Sequence, residues 1–251
     1  MTTTSTRLSA DRYLVLLRAD GERLAQAADG ALEAPVPPCP GWSVRDAVVH
    51  TASVYGHKAA CIRLGRRPAE GEWATEPPAG VDVVAWFRAT LHDLTGLLEQ
   101  HGPDAAAYTW WPPEQTTGFW FRRMALETAV HRVDVESAVG QVTAVNDDLA
   151  VDGVDEVLAL MLGSEDWTQD PVPGNEAVVA VRTGDRAWRV ELQPDAVTVT
   201  EGVGAAEATV TGEPSEVFLW LWGRRPDEAV RVEGDDAAVR RLRERISLAT
   251  Q

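Results

Sequence analysis

Trp120-Phe121-Arg122-Arg123-Met124-Ala125-Leu126-Glu127-Thr128-Ala129-Val130-His131-Arg132-Val133-Asp134-Val135-Glu136-Ser137-Ala138 is the stretch that decides the fold. Steps of four and three residues place Trp120, Met124, Glu127, His131, Asp134 and Ala138 on one face of a helix. That face is a buried seam interrupted by polar groups. A carboxylate or imidazole buried without a partner is costly, so the interruptions call for a reason. Glu127 and His131 lie one turn apart and can reach a single ion from the same side. Asp134, a turn further on, can either ligate as well or accept the second ring N–H of a ligating histidine.

Working outward, Ser43 to Leu64 has the same character. Ala47, His50, Val54, His57, Cys61 and Leu64 form its inward stripe. His50 is the third ligand candidate. His57 lies two turns beyond it, about 10.5 Å along the axis, too far to share an ion with His50, and reads as pocket lining. Two imidazoles and one carboxylate leave open positions on a divalent ion, the pattern of catalytic sites. Zinc suits the donors best, although iron(II), manganese and nickel accept the same set.

Four long helical patterns open the chain: Ser9 to Asp29, Ser43 to Leu64, Asp82 to Gln100 and Gly118 to Val139. They predict a four-helix bundle. The first carries Tyr13, Leu16, Leu17 and Leu24 on one side, the third Val84, Phe87, Leu91, Leu94 and Leu98, both without polar interruption. Pro40-Gly41-Trp42 breaks the chain before Ser43, an N-cap with Asp46 three residues on, and Gly140 closes the fourth helix. The aromatic connection Gly102 to Thr117 either walls a pocket at the bundle mouth or covers the core end.

A shorter helix, Asp147 to Leu162, completes the first domain, 1–162. The period then changes to two. Strands are expected at Ala177 to Thr183, Ala187 to Leu192, Val197 to Thr200 and Ala208 to Thr211, with turns at Gly184-Asp185 and Pro194-Asp195. A helix from Pro214 to Trp222, a strand from Ala229 to Val232 and a helix from Asp235 to Ile246 finish a small α+β domain, 163–251.

The 251 residues are 45% hydrophobic and 25% charged, with room for a sizeable core. The net charge of −16 argues against nucleic acid or anionic membranes as partners. An anionic substrate then needs local arginines, for which Arg45, Arg122, Arg123, Arg132, Arg224 and Arg225 are candidates. No run is long enough for a membrane span, and Met1 to Arg7 lacks a signal-like apolar stretch, so a cytoplasmic location is expected. Cys39 and Cys61 lack the spacing of a redox or zinc motif. Lys58 is the only lysine, a bias typical of GC-rich genomes.

The segment Cys39-Pro40-Gly41-Trp42-Ser43-Val44-Arg45-Asp46-Ala47-Val48-Val49-His50, followed by Glu127-Thr128-Ala129-Val130-His131-Arg132-Val133-Asp134, resembles the mycothiol-dependent maleylpyruvate isomerase family. That resemblance implies a DinB-like metal-binding bundle followed by a sterol-carrier-like α+β domain. It makes His50, Glu127 and His131 the ligands of a divalent metal, and Asp134 falls in its recurring pattern. It also implicates an arginine of the second domain, for which Arg224 in Phe218-Leu219-Trp220-Leu221-Trp222-Gly223-Arg224 is the best match. The implied cofactors are zinc and mycothiol. The implied partners are a low-molecular-weight thiol and a small electrophile.

On this reading the ion binds the thiol and favours its deprotonation. The thiolate adds to an activated double bond, allowing isomerisation, or displaces a leaving group, giving a stable conjugate. Asp134, His57 and an arginine such as Arg224 are the catalytic candidates beside the ligands. The same residues leave two alternatives open: a thiol-independent hydrolase or isomerase, and a non-catalytic ligand-binding protein. Substrate and oligomeric state are not encoded in any motif of the chain.

Overall fold

The computed structural model describes residues 7–250, which divide into two units between Thr143 and Ala144. The first unit is a four-helix bundle of α1 (Ala10–Ala28), α2 (Val44–Leu64), α3 (Val83–His101) and α4 (Thr117–Ala138). Three of the four start at a side-chain cap. Ser9 and Asp82 accept from the backbone N–H groups of Arg12 and Ala85, and Ser43 with Asp46 completes a capping box at α2. Gly65, with φ of 62°, ends α2 in the left-handed conformation that glycine adopts without strain.

Around the bundle the neighbours run α1, α4, α2, α3 and back to α1. This order is what sets α2 against α4. Tyr55 of α2 meets Thr128 of α4 through their hydroxyls at 2.6 Å, and its ring packs 5.6 Å from Phe87 of α3. The expected faces of α1 and α3 are buried, with Leu17, Leu24, Phe87, Leu94 and Leu98 fully enclosed. At Gly21 the α1 backbone comes so near α3 that an added Cβ would lie 2.5 Å from Leu91 Cδ2.

Three expectations need correction here. Helix α1 does have a polar interruption: buried Asp20 lies 3.1 Å from Nε of Arg132, which pairs with Glu136 at 2.6 Å. Both partners come from α4, so the α1 pattern alone cannot announce them. On α2 the buried residues are Val44, Ala47, Val48, Thr51, Ala52, Tyr55, Ala59, Ala60, Cys61 and Ile62, so of the stripe read from sequence Ala47 and Cys61 are enclosed while His50, Val54 and His57 are only partly buried. Its last member, Leu64, is exposed. Finally, the first unit ends well before residue 162.

The segment after that boundary belongs with the second unit. Helix α5 (Asp147–Asp155) continues as a π-helical stretch, Glu156–Leu162, and packs on α6 (Pro214–Leu221). The Val145 backbone N–H donates to Ser215 Oγ at 2.9 Å. Helical periodicity reveals that this helix exists, but not which neighbour buries it.

Strands β1 (Ala177–Thr183), β2 (Arg186–Gln193), β3 (Ala196–Glu201), β4 (Ala208–Thr211) and β5 (Arg231–Gly234) form one sheet in the order β3-β2-β1-β4-β5. The β1–β2 hairpin turns at Gly184-Asp185, as its Thr183–Arg186 pairing requires, while β4 runs parallel to β1. Helix α7 (Asp236–Ala249) covers β1, β4 and β5. The last strand lies two positions later than its sequence pattern, because a 3₁₀ turn at Asp227–Ala229 takes up the start of that pattern. Gly234 then pairs with Ala208, where a Cβ would sit 2.2 Å from the Glu207 carbonyl oxygen.

Replacing Arg132 by Met is expected to destabilise the first unit by about 3–5 kcal/mol, because Asp20 and Glu136 lose their buried cation and keep only the part-exposed Arg23, 3.6–3.9 Å away. Urea unfolding followed by tryptophan fluorescence measures this. An unchanged midpoint would remove the ion network from the bundle's stability.

Candidate functional site

Helix α4 is enclosed along nearly its whole length, from Thr117 to Glu136, so its charged residues must find partners inside the bundle. Glu127 finds three. One carboxylate oxygen, Oε2, accepts from the Arg123 guanidinium, a turn earlier on the same helix. The other, Oε1, lies 3.3 Å from Nε2 of His131 and 3.5 Å from Nε2 of His50. Burial alone pushes the Glu127 carboxyl upward, but Arg123 and the two histidines hold it well below the usual carboxylate range.

His131 is fixed from behind. Its Nδ1 is 3.0 Å from Asp134 Oδ2, an oxygen that also receives the Cys39 thiol at 3.6 Å. With Nδ1 engaged in this way, Nε2 is the nitrogen turned toward Glu127 and His50. Burial opposes the charged imidazole, yet Glu127 and Asp134 outweigh it and raise the pKa to about 9. The Trp42 ring stacks on His131 at 6.2 Å between centroids and lies 5.0 Å from the His50 ring. His50 keeps 40% of its side chain exposed and marks the open side.

One donor atom from each of His50, Glu127 and His131 falls within 4.8 Å of the others. Bonds of about 2.0–2.1 Å place the donors of a tetrahedral ion roughly 3.3–3.4 Å apart. The separations to Glu127 are therefore already those of a coordination sphere, and two neutral nitrogens with one carboxylate oxygen suit zinc and its neighbours. The donor set fits a divalent cation.

The structure thus brings together His50, Glu127, His131 and Asp134, with Asp134 behind His131. His57 is elsewhere on α2. Its Nδ1 lies 3.1 Å from Lys58 Nζ and 3.7 Å from Cys61 Sγ, and its ring is edge-on to Trp73 at 4.7 Å. Burial, with Lys58 and Arg67 nearby, lowers its pKa to about 4. Arg224 belongs to the second unit, where Nη1 donates to the Trp222 carbonyl at 2.7 Å. Beside Arg243 and Ser247 it lines a cavity of about 240 Å³.

Sequence reasoning gave Cys39 and Trp42 no place at the site and named Arg123 only among the candidates for an anion, not as a partner of Glu127. Arg123 was legible, since it stands four residues before Glu127 and that spacing forms helical ion pairs. Cys39 and Trp42 come from the loop before α2, where no periodicity predicts direction. That loop is tied back by Val36 N–H to Trp42 O at 2.9 Å and Trp42 N–H to Cys39 O at 3.0 Å. The aromatic connection before α4 also has a definite place: Trp110 packs on Phe119, and Trp120 Nε1 donates to the Tyr108 carbonyl at 2.9 Å.

Two family descriptions match the chain. Residues 14–136 match the mycothiol maleylpyruvate isomerase N-terminal domain and residues 148–241 the corresponding C-terminal domain. The chain belongs to the mycothiol-dependent maleylpyruvate isomerase family. The crystal structure of a mycothiol-dependent maleylpyruvate isomerase aligns over 91% of this chain and 95% of its own, with a TM-score of 0.58 and 14% identity. A histidine-to-alanine mutant of that isomerase aligns over the same shares, with a TM-score of 0.57 and 13% identity. At these identities the likeness establishes the shared fold of this isomerase family. A comparison with curated proteins finds no match. No helix among the described residues is long and apolar enough to cross a membrane.

The raised pKa of His131 sets a pH dependence for the metal-free protein. A group whose folded pKa exceeds its ordinary 6.5 adds stability fully below that value and loses it as pH rises through about 9. The thermal midpoint in chelator is therefore expected to fall across this window. In His131→Asn the contribution should vanish, and an equally steep fall in that variant would contradict the assignment.

Proposed function

We propose that the protein is a metal-dependent, mycothiol-dependent isomerase or thiol transferase that acts on a small electrophile. The observation that carries this reading is the convergence of His50, Glu127 and His131 at coordination spacing, in a chain whose family is named for mycothiol-dependent isomerisation. His50, Glu127 and His131 are the proposed ligands, with zinc the best match to the donors. A divalent ion held there would draw the pKa of an incoming thiol below its free value of about 8.5.

The surrounding residues have the complementary tasks. Asp134 holds the proton of His131 at Nδ1, which leaves Nε2 as the donor and fixes the ring's orientation. Arg123 occupies Glu127 Oε2 and so presents only Oε1 to the cation. Trp42 lies against both imidazoles and restricts water on that side. The half-exposed His50 leaves a path for thiol and substrate. Addition of the thiolate to an activated double bond, rotation about the resulting single bond and expulsion of the thiol would isomerise the substrate. If the adduct cannot expel the thiol, a conjugate is released instead. Arg224 is the proposed contact for an anionic group from the second unit.

Two measurements test this. Product analysis with and without mycothiol should show turnover only when the thiol is present; equal turnover without it would favour a thiol-independent hydrolase or isomerase. His50→Ala should lose bound metal and activity together while the bundle stays folded, since the side chain is 40% exposed and its removal opens no core cavity. Full metal occupancy in that variant would strike His50 from the ligand set.

A further inference from the structure

The chain's single lysine stands in an unusual setting. Lys58 is half-buried on α2, with its Nζ over the Trp120 ring at 5.2 Å from the centroid and 3.1 Å from His57 Nδ1. In a protein with a formal charge of −16, carboxylates are plentiful. Arg18, Arg63, Arg66 and Arg88 on the same unit each hold one within 2.5–2.8 Å. Among the described residues Lys58 forms no such ion pair. An ammonium withdrawn from water without a counter-ion is disfavoured, and neither an indole face nor a neutral imidazole cancels its charge.

Its surroundings point the charge toward the site. Lys58 is two turns beyond His50, about 12 Å along α2, while Trp120 is two turns before Glu127 on α4. The helices are antiparallel neighbours, so Lys58, Trp120, Arg123 and Glu127 follow one another along a single seam. Lys58 is within electrostatic reach of Glu127 and Arg123. Glu127 is already engaged by Arg123 and both histidines and cannot serve as its dedicated partner. Three of the four arginines that sequence nominated for an anion on this unit are paired with carboxylates: Arg45 with Glu76, Arg132 with Asp20 and Glu136, and Arg123 with Glu127.

We propose that Lys58 binds a carboxylate of the small electrophile, its ammonium steered over Trp120 by the Nδ1 lone pair of His57. His57 is then a positioning residue and Lys58 a binding and specificity residue. Neutral His57 accepts one N–H of the ammonium, and the remaining donors face the ligand. This rests on the reading of the site as one for a small electrophile, but it concerns anion binding and can be measured without turnover.

A lone lysine permits a local probe. Incorporation of lysine labelled with ¹³C at Cε and ¹⁵N at Nζ marks Lys58 alone and leaves all its N–H donors in place. Titration with maleate at constant ionic strength is expected to move the Lys58 resonance saturably, whereas maleamide, the uncharged diamide of the same skeleton, should not move it. In calorimetry Lys58→Met should weaken maleate binding by about tenfold or more, the size of a charge-assisted hydrogen bond, and Lys58→Arg should restore most of it. His57→Phe should weaken binding less and shift the Lys58 resonance before any anion is added.

A Lys58 resonance that maleate leaves unmoved would overturn the proposal, as would Lys58→Met binding maleate like the native protein. Zinc content measured on the same samples reads the metal assignment separately. Maleate binding at Lys58 in a protein that takes up no metal would support this subsite while removing the proposed function. Metal uptake with no response at Lys58 would do the reverse.

Discussion

The carboxylate of Glu127 is the constraint on which the first unit turns. It sits on the most enclosed helix of the bundle, and α4 can bury it only because a guanidinium and two imidazoles surround it. Two of these partners, Arg123 and His131, come from α4 itself at spacings of four residues. The third, His50, must be delivered by α2. A bundle in which α2 and α4 were diagonal would leave that carboxylate without its open-side partner, and the donor cluster would not form.

Delivery of His50 depends in turn on how the rest of the bundle is packed. Tyr55 and Thr128 join α2 to α4 through a buried hydroxyl pair, and the Asp20–Arg132–Glu136 network joins α1 to α4 on another side. These contacts impose geometry as well as stability, since a buried hydrogen-bonded group has few acceptable positions. The loop carrying Cys39 and Trp42 is then held against the imidazoles by its own backbone hydrogen bonds. The site is rigid where it is enclosed, at His131 and Asp134, and accessible where His50 reaches the surface.

The second unit rests on a different principle. Helix α7 packs on β1, β4 and β5, and buried Arg245 fastens the end of α7 to the sheet by donating to the Gln193 carbonyl at 2.9 Å. Its parallel β1–β4 pair brings together strands that are not consecutive in the chain, with β2 and β3 between them. Hairpin turns are local and were readable in Gly184-Asp185. A crossover pairing is non-local and has no comparable signature.

Much of the architecture was legible from residue order. Periods of 3.6 and 2, the Ser43–Asp46 cap and the turn residues located the helices and most strands, because these signals act over a few residues. The one-turn spacing of Glu127 and His131, with a comparable histidine at position 50, also marked the cluster that the bundle brings together. Tertiary structure decided what local patterns cannot carry. It assigned the 147–162 helix to the second unit, paired Asp20 with Arg132, brought Cys39 and Trp42 to the imidazoles and set Lys58 over Trp120. In each case the partner lies far away in sequence, and only the packing of helix on helix determines which side chains share a space.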